Sequence, residues 1–206
     1  MLKKIEKLRK SLTLFLGKIH WKQKGGLTQE DKENIIKLLT PDYYIILTRR
    51  NNHLSTYLIS FLYFLMTGKF GYYSHALMNL ENEVTEEKDF RLIEATGIGV
   101  HYTPFDQVFN CHSVALLKPK GLTLTEWTEI MDKARTELGK PYDTLFDLKS
   151  DKELSCVELV RISLQALPDY NTKFANFEKL IKKYKNLHPQ MFRDCSDFEV
   201  VYEIKR

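Results

Sequence analysis

The chain has 206 residues, of which 43% are hydrophobic and 28% charged, and its formal net charge is +4. That length suits one domain, with or without an added arm, and it can bury a real core. The composition argues against a wholly disordered or integral membrane protein. The charge is uneven: the first 40 residues hold ten Lys and Arg against four Asp and Glu, so the rest sums to −2. The basic character belongs to an N-terminal arm, and a pI of 8.8 is no ground for a nucleic-acid partner. The arm is compatible with peripheral contact to a membrane surface or an acidic partner.

Three cysteines, Cys111, Cys156 and Cys195, form an odd and sparse set. They argue against a disulfide framework and for a reducing compartment. The sequence has no CxxC or HExxH, and its six histidines are scattered, so neither a metal nor a cofactor is expected. The N-terminus starts basic, but its apolar centre LTLFLG is too short for a signal peptide and no small-residue cleavage site follows. The expected setting is therefore cytoplasmic. The Lys-, Asn- and Tyr-rich composition points to an AT-rich genome, a phage or virus included.

Residues 2–19 show near-helical apolar spacing and are expected as an amphipathic helix, ended by Gly25-Gly26. A second helix is expected over 29–39, capped by Thr28 and closed by Pro41. YYIILT (43–48) reads as a strand. The greasy run LSTYLISFLYFLMTG (54–68) is shorter than the roughly 20 residues that span a bilayer. Its first reading is a core helix; its second is a surface that meets lipid or acyl chains. Strands are expected at 75–81 and 90–95, separated by the acidic turn NEVTEEKD, with GIGV (97–100) a turn or short strand. Thr103-Pro104 opens a short helix in the order cap then proline. A strand follows at 112–119, and then a helix that starts in a Thr123–Glu126 capping box and ends at Gly139. Helices at 155–167 and 174–186 and a last strand at 198–204 complete an α+β pattern.

The chemistry gathers at Cys156. Ser155-Cys156-Val157-Glu158 fits the S-x-x-E capping box, with Ser155 as N-cap and Cys156 as first helical residue. Backbone N–H groups at that end lack partners and the helix dipole favours negative charge, so a thiolate is stabilised there. The same N–H groups can hold an oxyanion during acyl transfer. A buried structural cysteine that happens to begin a helix is the alternative. A thiol nucleophile needs a base, and His75 heads a strand, where a ring is rigidly held. Glu94, between Ile93 and Ala95, is costly to bury without a partner and can orient the imidazole; a glutamate facing solvent is the alternative. Cys111 and Cys195 are weaker nucleophiles. Cys111 and His112 point to opposite faces of a strand, and Cys195 lies in the polar loop RDCSDF.

In their order along the chain, Ser74-His75, Glu94-Ala95, Gly139-Lys140-Pro141-Tyr142-Asp143 and Cys156-Val157-Glu158-Leu159 resemble the circularly permuted papain-like amidases of the NlpC superfamily, the YiiX-like group. The likeness spans roughly residues 40 to 204. The sequence departs from the usual pattern at Pro41-Asp42, where Gly-Asp is usual, and at Val157, where a small residue is usual. The resemblance implies a small antiparallel sheet or half-barrel packed against the cysteine helix, with the histidine strand placed before it by permutation. It implies a catalytic domain over 40–206 behind a helical arm over 1–39. It also implies a triad of Cys156 as nucleophile, His75 as base and Glu94 as orienter. Tyr142 would line the site and help the oxyanion hole, with Ser74 and Asp143 beside it in substrate binding. The expected activity is a cysteine hydrolase acting through an acyl-thioester on an amide or ester of a small peptide-like or acylated substrate. The alternatives are a lipid acyl hydrolase or acyltransferase, which the greasy helix and basic arm favour, and a catalytically silent phage or viral binding module.

Overall fold

The computed structural model describes residues 18–206 apart from 24, 41, 81–90, 145, 147, 149 and 150, together with residues 11 and 15. The expected helix over 2–19 and the acidic turn at 82–89 fall almost wholly outside the described residues. Among the described residues the chain forms eight helices and six strands. In chain order these are α1 (Gln29–Leu39), β1 (Ile45–Arg49), α2 (Leu54–Thr67), β2 (His75–Asn79), β3 (Leu92–Thr96), β4 (Gly99–Thr103) and α3 (Phe105–Phe109). There follow β5 (Ser113–Pro119), α4 (Leu124–Thr136), α5 (Cys156–Leu164), α6 (Tyr170–Lys173), α7 (Ala175–Tyr184), α8 (Pro189–Asp194) and β6 (Phe198–Ile204).

The strands form one antiparallel sheet in the order β4-β3-β2-β1-β5-β6. Successive strand side chains alternate between faces, so each strand feeds two cores. Ile45, Leu47, Ala76, Met78, Ile93, Ala95, Ala115 and Leu117 join the larger core, completed by Trp127 and Ile130 of α4, Val157 and Val160 of α5, Phe177 of α7 and Phe192 of α8. Ile46, Leu77, Leu92, Val114 and Leu116 join the second, closed by Ile35 and Leu39 of α1 and Phe105 and Phe109 of α3. Residues 29–39, which the sequence places in the arm, thus pack on the sheet.

Local signals explain most element starts. Capping boxes close the first turns of α1 at Thr28 and Asp31, of α4 at Thr123 and Glu126, and of α5 at Ser155 and Glu158. Two expectations are corrected. Helix α2 is no core helix: only Thr56, Ser60 and Tyr63 are buried, while Phe61, Leu62 and Leu65 are about half exposed or more. Apolarity all round the helix hid which face turns inward. Thr103 is the last residue of β4 and not the cap of α3, which starts from Pro104 without a side-chain cap. Strand pairing claims the threonine instead. Helix α8, opened by His188 and Pro189 at N1, was not foreseen.

Candidate active site

Three elements converge on Cys156. It is the first residue of α5, behind the N-cap Ser155, whose backbone is extended (φ −76°, ψ 169°). The Ser155 hydroxyl accepts from the Glu158 N–H at 3.4 Å, and Glu158 Oε2 accepts from the Ser155 N–H at 2.8 Å. This box fixes the first turn of α5, the end of the helix at which Cys156 sits. The face carrying Val157, Val160 and Leu164 is buried against β2 and β3, as the apolar spacing predicts.

His75 opens β2, and Glu94 sits in the middle of β3. His75 Nε2 and Glu94 Oε2 lie 2.5 Å apart. The histidine side chain keeps a quarter of its exposure, whereas that of Glu94 is almost wholly covered. Glu94 Oε1 accepts the Thr103 hydroxyl at 2.6 Å and faces His101 Nε2 at 3.6 Å. His101 Nδ1 contacts the Gly99 carbonyl at 2.9 Å. The β3–β4 pairing causes this arrangement: Glu94 is directly opposite His101, and Leu92 is opposite Thr103, so all three polar side chains share one face.

Electrostatics tie these groups to the cysteine. Burial pushes His75 down, but the Cys156 sulfur, which also hydrogen-bonds the ring, and the Glu94 carboxylate outweigh it and raise the histidine to about 10. Since Nε2 is turned to Glu94, Nδ1 is the nitrogen left for sulfur. Burial pushes Glu94 up, but His75, Thr103 and His101 bring it down to about 2. The carboxylate therefore stays ionised.

The loop that leads to α5 is tied to β4. Val100 donates its N–H to the Lys140 carbonyl, Gly139 to that of Val100 and Leu154 to that of Pro141, each at 2.9 Å. Gly99 makes this approach possible. Its φ is +100°, and a Cβ there would sit 2.5 Å from the Lys140 oxygen. The loop brings Tyr142 beside the site. Burial, then the charges of Cys156, Asp143, Glu158 and Glu94, drive its phenol well above 10, so it keeps its proton. Asp143 is buried and hydrogen-bonded to Glu158. Burial first, then Asp143, lift Glu158 to about 7 against the opposing pull of Ser155.

The structure thus brings Cys156, His75, Glu94, Tyr142 and Asp143 together. Ser74 is turned aside: its hydroxyl donates to Thr56 Oγ1 of α2 at 3.3 Å. Cys111 is fully buried, donates to the Ser113 carbonyl at 3.5 Å and is pushed up to about 12 by burial. Cys195 is raised to about 11, again first by burial. The neighbouring His112 accepts from the Asn51 N–H at 2.9 Å. Sequence reasoning missed Thr103, His101 and the buried role of Glu158. The signal for the first two was present: a tight turn over Thr96–Gly99 sets a register that puts His101 opposite Glu94 and Thr103 on the same face. Among the described residues no group of three or more His, Cys, Asp and Glu is arranged to hold a metal ion.

A histidine-bearing strand that precedes the cysteine helix, both packed on one antiparallel sheet, is the element order of a papain-like fold with its chain permuted. A family model for permuted papain-like amidases of the YaeF/YiiX type, peptidase family C92, matches residues 44–202, and the chain belongs to this family. Among solved structures, the metalloprotein YiiX from Escherichia coli O157:H7 shares the fold. It is 24% identical, with a TM-score of 0.58, and the match covers 81% of this chain and 99% of that one. No curated protein matches the chain.

Proposed function

We propose that this family member is a cysteine amidase whose nucleophile is Cys156, with His75 as acid and base and Glu94 as the group that orients the ring. The observation that carries the proposal is the continuous chain from Glu94 through His75 to the Cys156 sulfur, with the histidine held protonated. The Cys156 sulfur gives its proton to Nδ1 of His75. It attacks the carbonyl carbon of the substrate amide, a C–S bond forms and the carbonyl π pair moves to oxygen.

The resulting oxyanion faces the backbone N–H groups at the start of α5 and the phenol of Tyr142, which donates because it stays neutral. Collapse of the intermediate breaks the C–N bond, and His75 gives its proton to the leaving amine. Water then attacks the acyl-thioester while His75 takes its proton. Breaking the C–S bond releases a carboxylic acid and frees the Cys156 sulfur, which takes its proton back from His75. Glu94, anchored by Thr103, keeps Nε2 occupied throughout, so that Nδ1 serves sulfur and substrate. The substrate class is an amide or ester of a small peptide-like or acylated compound.

The test is labelling with a thiol-reactive acyl probe. Cys156 is expected to react far faster than Cys111 and Cys195, and His75→Ala to slow it by about 10²–10⁴-fold. Equal reaction of the three cysteines, or a rate indifferent to His75, rejects the assignment.

A further inference from the structure

Helix α2 is built inside out. Its buried stripe is polar: the Thr56 hydroxyl donates to the Arg50 carbonyl at 2.8 Å, Ser60 to the Thr56 carbonyl at 2.9 Å and Tyr63 to Asp194 at 2.7 Å. Its exposed stripe is apolar. Tyr57, Phe61 and Leu65, with Leu58 and Leu62 beside them, are 37–64% exposed at helical spacing. Phe70, 68% exposed, extends the stripe by stacking on Phe64 with ring centres 4.6 Å apart. Trp21, 46% exposed, continues it at the other end by stacking on Tyr57 at 6.0 Å. Ordinary surface helices carry their charge outward. A continuous apolar face of this kind marks a contact with an apolar phase.

The surroundings say which phase. Residues 43–80 contain no Asp or Glu, nor do residues 18–29, while the same segments carry Lys18, Lys22, Arg50 and Lys69. The 18–22 segment is held there: Leu54 donates its N–H to the Ile19 carbonyl at 3.1 Å, and Trp21 its own to the Asn52 carbonyl at 3.0 Å. Beside the apolar stripe lies a groove of about 400 Å³ lined by Arg49, Tyr57, Ser60, Phe70, Gly71 and Tyr72. The Arg49 guanidinium lies 5.5 Å from the Tyr57 ring centre and 5.0 Å from that of Tyr72, and it donates to Asn51, Ser60 and the Tyr72 carbonyl. Among the described residues no carboxylate pairs with it. An arginine set into an aromatic groove without a counter-ion accepts a phosphate well.

We infer that the outer face of α2, with Phe70, Trp21 and the Arg49 groove, docks on the surface of an anionic phospholipid bilayer. The Leu and Phe side chains enter the acyl boundary, and Trp21 and Tyr57 sit at headgroup level. Arg49 takes a headgroup phosphate, and the lysines of these acid-free segments add long-range attraction. The helix lies on the bilayer and does not cross it. At 14 residues it is ~21 Å long, against a hydrocarbon core of about 30 Å. This inference stands apart from the catalytic assignment.

The experiment is flotation of the full-length chain with phosphatidylcholine vesicles, with and without a quarter of phosphatidylglycerol, alongside its sedimentation in vesicle-free buffer. The wild type is expected to float with the anionic vesicles. Leu62→Glu with Leu65→Glu, on the exposed side of the helix, is expected to weaken binding by about tenfold or more. Arg49→Gln is expected to weaken the preference for anionic vesicles, and Cys156→Ala to bind as the wild type does. No flotation overturns the inference, as does flotation that the double substitution leaves unchanged. A dimer in vesicle-free buffer that the double substitution abolishes also overturns it, in favour of a second copy on this face.

Discussion

Glu94 uses its two oxygens on opposite neighbours: Oε2 faces His75 Nε2 at 2.5 Å, and Oε1 accepts the Thr103 hydroxyl at 2.6 Å. The carboxylate is thereby pinned from both sides in a nearly closed environment. Glu94→Gln keeps the shape and removes the charge. It is expected to lower the rate of amide hydrolysis, or of Cys156 acylation, by about 10²–10⁴-fold. The histidine loses a charge that raises it, so the alkaline limb of the pH–rate profile should move to lower pH. An unmoved limb would show that Glu94 does not act through the ring.

Thr103→Val removes one charge-assisted hydrogen bond from Glu94 and preserves the β-branched shape. A bond of that kind is worth about 1.5–3 kcal/mol, and only part of it should reach the transition state. Activity is expected to fall by about tenfold, while Thr103→Ser retains it. Rates of both variants at matched thermal stability separate positioning from folding.

Glu158 is a buried carboxyl whose folded value, about 7, is above its ordinary 4.5. A carboxyl raised in this way favours folding while protonated. Its contribution is complete below about 4.5 and is lost as the pH rises through about 7. Glu158→Gln can still accept from the Ser155 N–H and donate to Asp143, without titrating. Denaturant unfolding from pH 4 to 8 should show the wild type losing on the order of 1 kcal/mol that the variant keeps. Parallel curves for the two proteins contradict the shared proton.

Glu94 has the opposite sign. Its folded value, about 2, is below its ordinary 4.5, so its contribution is present above 4.5 and lost as the pH falls through about 2. Acid unfolding of Glu94→Gln should therefore be less steep between these limits than that of the wild type.

Gly99→Ala places a Cβ against the Lys140 carbonyl at a backbone angle that L residues rarely adopt. A loss of about 2 kcal/mol or more is expected. The 139–143 loop also carries Tyr142, so acylation of Cys156 should slow even at temperatures where the variant stays folded. Thermal unfolding and labelling rates measure the two effects separately.

Local order was legible wherever a residue's role depends on its near neighbours. The Ser155–Glu158 box follows from a four-residue pattern, and the Val157, Val160 and Leu164 face from helical spacing. That these sit in a permuted papain-like family followed from the order of short motifs, not from any one of them. Thr103 shows where local reading fails. Beside Pro104 it looks like a helix cap, but a strand neighbour nine residues earlier takes its hydroxyl. Helix α2 shows the same limit from the side of burial. Apolar residues lie all round it, so periodicity does not tell the inner face from the outer.

The sequence by itself determined the α+β pattern, the capped start of the cysteine helix and the residue types able to form a triad. Only the tertiary structure decided which oxygen of Glu94 meets which partner, that Ser74 turns to Thr56 and that α2 faces outward with its apolar side. The physical reason is range. Caps and amphipathic stripes arise from interactions within a turn or two. Strand register, loop anchoring and the choice of buried face depend on groups brought together from distant parts of the chain.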